Sequence, residues 1–101
     1  MEADNKVDTI SITRLCTHYQ ADTQFFEALE QFGLITLIRQ ESTASIPVDR
    51  IREVEKWIHL HYDLNINMEG LDAIANLLEK VAVLQAELSE ARRRISYLER
   101  L

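Results

Sequence analysis

The sequence predicts a mainly α-helical protein: a winged helix-turn-helix body with a small β wing, followed by a long C-terminal coiled-coil helix. Three observations lead there. Helix-favouring Leu, Ile, Ala, Glu and Arg dominate, and 101 residues hold only 2 Gly and 1 Pro, which disfavours an all-β or linker-rich chain. Apolar residues between 23 and 32 recur at helical spacing and close on Gly33-Leu34-Ile35, the layout of a recognition helix. Ile74, Leu77, Val81, Leu84, Leu88, Ala91, Ile95 and Leu98 then alternate three and four residues apart, which is a heptad seam.

The elements follow in order. Residues 1–8 are polar and read as a flexible N-terminus. Residues 9–66 form the body and residues 67–101 the dimerisation helix. Residues 9–12 suit a short strand or the start of a helix. Ser11 or Thr13 caps a first helix reaching about Tyr19, with Leu15 and Cys16 inward. Gln20-Ala21 makes the turn. Asp22 is the expected N-cap of the second helix, its carboxylate accepting from exposed backbone N–H groups. Phe25, Phe26, Leu29 and Phe32 supply core, and Gly33 is placed as a left-handed C-cap.

Residues 34–40 are β-branched and read as a strand, residues 41–45 as a turn and Ile46 as a short return strand, together a small wing. Pro47 suits the first position of a third helix. That helix runs over about 48–62, with Ile51, Val54, Trp57, Ile58 and Leu60 on its apolar face. Residues 65–68 break the pattern, and Asn67 caps the last helix. A helix of about 33 residues extends about 50 Å, too far for so small a body to cover. Its distal half needs a partner. Acidic Glu79, Glu87 and Glu90 precede basic Arg92, Arg93, Arg94 and Arg100, with Lys80 and Glu99 blurring the order. Antiparallel pairing sets acid against base, so an antiparallel homodimer is expected.

Charge restricts the partners. The chain carries −6 overall. Residues 1–90 hold 7 Lys+Arg against 16 Asp+Glu, a balance of −9, and residues 91–101 hold 4 against 1, a balance of +3. Binding duplex DNA means neutralising phosphates with Lys or Arg. The second helix instead offers Glu27 and Glu30, and like charges repel. These two glutamates point to a protein partner, although a plain solvated face accounts for them equally well. Arg14, Arg39, Arg50 and Arg52 remain as possible phosphate contacts, each with an acidic residue near it in sequence or in the expected fold. Arg92–Arg94 reads as a solvated or self-paired coil face.

Other classes find little support. No phosphate loop, nucleophile–base pair or differentiated carboxylate pair is visible, so the chain does not read as an enzyme and implies no cofactor. His59 and His61 lie two apart on a helix and diverge, so with His18 and Cys16 they make a poor metal set. A single cysteine fits a reducing compartment. The sequence lacks a membrane-length apolar run and a signal-peptide pattern, and a soluble, cytoplasmic protein is expected.

The succession of helix, turn, helix, Gly-Leu-Ile, wing, third helix and dimer helix resembles the MerR-like winged-helix family over about residues 9–101. Within it, Leu64-Asn65-Ile66-Asn67-Met68-Glu69-Gly70-Leu71-Asp72 is similar to a Leu-Gly-Val-Asn-Leu-Ala-Gly-Val-Glu stretch. That stretch marks a subgroup of CbpM-type chaperone modulators and related heat-shock repressors. The resemblance implies binding to the J domain of a DnaJ-like co-chaperone and inhibition of its stimulation of Hsp70. MerR-type DNA binders carry an Arg-Tyr pair where this chain has Glu27 and Ala28, and a wing arginine where it has Ala44 or Ser45. Those departures remove phosphate contacts from both elements and favour the modulator. A heat-shock-type transcriptional regulator and a coiled-coil adaptor stand as alternatives.

Overall fold

A computed structural model of the chain describes residues 8–101, so the expected flexible N-terminus lies, but for Asp8, outside the described residues. In order come β1 (Thr9–Ser11), α1 (Ile12–Tyr19), α2 (Thr23–Gln31), β2 (Ile38–Gln40), β3 (Thr43–Pro47), α3 (Ile51–Ile58) and α4 (Met68–Glu99). A 3-10 turn, Val48–Arg50, leads into α3, and a π-helical turn, His59–Asp63, continues it. The chain divides into two compact units, one ending at Leu71 and the other running Asp72–Leu101.

In the first unit, Ser11 starts α1: its hydroxyl accepts the Arg14 N–H at 3.1 Å. Gln20 ends the helix in the left-handed region, its N–H donating to the Cys16 carbonyl. Ile12 and Leu15 turn inward. Asp22 takes the extended N-cap conformation of α2, but its side chain makes no capping bond. The exposed carboxylate stays in water, and the Asp22 backbone N–H donates to the Tyr62 hydroxyl at 3.0 Å. That corrects the expected carboxylate cap.

The end of α2 is a Schellman motif. Gly33, at φ +78°, donates to the Glu30 carbonyl at 3.0 Å, and Leu34 donates to the Leu29 carbonyl at 2.8 Å. The motif satisfies carbonyls that the helix end would otherwise orphan. Phe25, Phe26 and Leu29 are buried, whereas Phe32 is 38 % exposed. Phe32 is the C-cap residue, where the chain leaves the helix, so it drops off the inward stripe and out of the expected core.

The wing is a three-stranded antiparallel sheet in the order β1-β3-β2. Three expectations are corrected here. Residues 34–37 are not strand. The register Ile38↔Ser45, continued backward, sets Thr36 opposite Pro47, which has no N–H to donate. The turn is confined to Glu41-Ser42, with Glu41 at φ +56°, and β3 begins at Thr43. Pro47 closes β3 instead of opening a helix, because the Val48 N–H donates to the Asp8 carbonyl at 2.9 Å and prolongs the β1–β3 pairing.

Helix α3 buries Val54, Trp57 and Ile58 at three- and four-residue spacing. Trp57 is 2 % exposed and the Lys56 ammonium lies 4.8 Å from its ring centroid. Phe26, Leu29, Ile46, Val54 and Leu71 are the largest fully buried side chains, so α2, β3, α3 and the first turn of α4 all supply the core. Asn65, at φ +58°, stands in the left-handed region just before α4. Asn67 then caps α4, its Oδ1 accepting the Gly70 N–H at 2.8 Å. A Cβ on Gly70 would lie 2.6 Å from the Ile66 Cγ2 and 3.1 Å from the Asn67 Oδ1. The Asn-x-x-Gly element thus has a local steric reason.

The second unit is the rest of α4. The whole of α4, with 32 residues, extends about 48 Å at 1.5 Å per residue. Glu90 pairs within it with Arg93 and, at 3.3 Å, with Arg94. Among the described residues no helix is long and apolar enough to cross a membrane.

Candidate partner-binding surface

Helix α2 presents Thr23, Gln24, Glu27 and Gln31 to solvent. No Lys or Arg occurs in its nine residues. The two glutamates singled out from sequence differ in circumstance. Glu27 is exposed, and no ion pair is made to it among the described residues. Glu30 is held: its Oε1 accepts from the Arg39 guanidinium of β2 at 2.5 Å. This bond ties the second helix to the wing. It also occupies the one arginine that β2 could turn toward a phosphate. The sequence places both residues but not the pair, since nine positions and a chain reversal separate them.

Behind the Schellman turn lies an open groove of about 450 Å³. Leu34, Ile35 and Ile38 wall it, Ile46 and Val54 belong to its lining, and Arg50 and Glu53 join it as a 3.6 Å ion pair. Sequence reasoning missed this groove. Its lining draws on residues 33–36, 38, 46–47, 50 and 53–54, which only the fold brings together.

Aromatic packing fixes the start of α2 against the π-helical turn. Phe25 stacks on His61 with centroids 4.7 Å apart and meets Tyr62 edge-on at 5.2 Å. His61 Nδ1 is 2.8 Å from the Ile66 carbonyl, and His59 Nδ1 is 2.6 Å from the Asp63 carboxylate. His59 and His61 are thus both engaged locally. The Tyr19 hydroxyl donates to the Glu55 carboxylate, joining α1 to α3. That bond, with partial burial and the Glu55 charge, pushes the Tyr19 phenol up to about 12.

This arrangement of α1, α2, wing and α3 can be set beside known families. The family model described as MerR HTH family regulatory protein matches residues 10–93. The chain belongs to this family. No curated protein and no solved structure matches it. On α4, Leu77, Val81, Leu84, Leu88, Ile95 and Leu98 are between 46 and 63 % exposed. Ala91 is exposed too, while Ile74 is half-buried.

Proposed function

We propose that this MerR-family protein is a chaperone modulator that docks on the J domain of a DnaJ-like co-chaperone and blocks its stimulation of Hsp70. The observation that carries the reading is the engagement of Arg39 by Glu30 beside an exposed Glu27. A surface built this way repels a polyanion and attracts a basic one. The face that a J domain offers to Hsp70 is typically basic along its second helix, so the two surfaces complement each other. Glu27 and Glu30 are the proposed contacts. The working form is a homodimer closed through α4, by Ile74, Leu77, Val81, Leu84, Leu88, Ala91, Ile95 and Leu98, with the two helices antiparallel.

Duplex DNA binding is the second reading. The regulatory family favours it, and among the described residues no carboxylate lies within salt-bridge distance of Arg14 or Arg52. Two titrations separate the readings. The protein is titrated with the purified J domain of a DnaJ-like co-chaperone by calorimetry, and with labelled duplex DNA at several salt concentrations. J-domain binding that weakens in E27K/E30K, with matching loss of inhibition of the Hsp70 ATPase, supports the modulator. Affinity for the J domain unchanged by both charge reversals sinks the proposed contact face. Specific duplex binding with a steep salt slope, without J-domain binding, overturns the modulator reading altogether.

A further inference from the structure

Two copies of α4 can pair in several overlaps, and the residues flanking the seam select one. This inference rests on the homodimer proposed above. Leu88 and Ala91 occupy the two apolar positions, a and d, of one heptad. The flanking g positions are then Lys80, Glu87 and Arg94.

Orientation is decided at Ala91 and at the tips. A parallel in-register pair stacks Ala91 on its own copy and leaves a gap in the seam. Its flanking pairs, Glu87 with the partner's Arg92 and Arg94 with the partner's Glu99, are attractive, but it gathers both acidic bodies at one end and leaves the Ala91 gap. An antiparallel pair sets each a residue against a d residue of the partner. Ala91 then meets a larger side chain, and each +3 tip runs toward the acidic end of the other copy.

Antiparallel overlap moves in steps of seven residues, and g positions face g positions. Complete overlap of the seam sets Glu87 against the partner's Glu87 and Lys80 against the partner's Arg94, all like charges. A one-heptad offset toward the bodies sets Lys80 against the partner's Glu87 but strands Ile95 and Leu98, which are 54 and 63 % exposed. The opposite offset covers both. It leaves outside Ile74, which is half-buried, and Leu77, which is 60 % exposed, and so narrows the proposed seam to the six residues Val81, Leu84, Leu88, Ala91, Ile95 and Leu98. We infer that the dimer adopts this second offset: Glu87 of each copy pairs with the partner's Arg94, Leu88 packs on the partner's Ala91, and the two-fold axis passes between Ser89 and Glu90.

Mild oxidation of cysteine pairs in a Cys16→Ser background tests the register. E87C/R94C is expected to give a covalent dimer that a reductant cleaves, while cross-linking of E87C alone, K80C/E87C and E87C/R92C stays at background. Cross-linking of E87C alone indicates complete overlap, of K80C/E87C the other offset and of E87C/R92C a parallel coil, and each overturns the inference. So does failure of E87C/R94C to cross-link. In parallel, E87R is expected to raise the dimer dissociation constant about tenfold, since two attractive flanking pairs become repulsive, and E87R/R94E to restore it. Monomeric wild-type protein in sedimentation at micromolar concentration removes the homodimer itself, a failure distinct from a wrong register.

Discussion

Two single residues set local tolerances that measurement can reach. The Tyr19 hydroxyl donates to a carboxylate, so the folded state holds its proton more tightly than the unfolded chain, with the phenol raised from 10.0 to about 12. Its contribution is therefore complete below pH 10 and fades as pH rises toward 12. At neutral pH Tyr19→Phe is expected to lose about 1 kcal/mol in urea unfolding, and the gap to wild type should close between pH 10 and 12. Gly70 works differently. Alanine there gains about 1 kcal/mol in helix propensity, but its Cβ would stand 2.6 Å from a methyl of Ile66, whose branching leaves it little room to turn. Overpacking of this kind typically costs about 1–3 kcal/mol, so Gly70→Ala is expected to be destabilising on balance. Trimming Ile66 to Ala in the same chain should recover part of the loss, and thermal melts of the three variants would decide it.

At the scale of elements, the joints are more exposed to mutation than the rods. Asn67→Ala removes the cap of α4 and is expected to lower stability by about 1 kcal/mol, read as fraying in amide exchange over residues 68–71. The helices were legible because each carries its own periodicity: Phe25, Phe26 and Leu29 in α2, and Val54, Trp57 and Ile58 in α3, announce their buried face without help from the rest of the chain. Gly33 was legible for the same local reason. The strands were not. Where β2 starts depends on which residue of β3 lies opposite, and Pro47 ends the pairing from across the sheet. Asp22 also misled, since its position in the sequence is that of a cap but the bond it makes is from its backbone to Tyr62, forty residues on. In the candidate site, Glu27 could be read directly. The engagement of Glu30 by Arg39 needed the folded wing. Arg39→Ala is accordingly expected to cost little stability, under about 1 kcal/mol for so exposed a pair. It would leave Glu30 unpaired and make the α2 face more acidic, so J-domain affinity in calorimetry is expected to rise.

For the whole molecule, the two units answer to different forces. The first carries a core of its own, whereas the second is a single helix whose apolar seam lies open, and isolated helices are marginal in water. The homodimer proposed above would close that seam and make the helix concentration-dependent. Leu84→Glu is expected to give a monomer in sedimentation and to reduce helicity, since a charge in the seam meets apolar side chains on both sides of the joint. The body should fold regardless. Trp57 makes this separable in one cuvette. It is the sole tryptophan of the chain, buried within α3 and far in sequence from the coil. Its emission therefore reports the body, while far-ultraviolet dichroism is weighted toward the 32 residues of α4. Diluting the protein should dim one signal and leave the other steady, so a single native fluorophore turns the molecule into its own two-channel gauge.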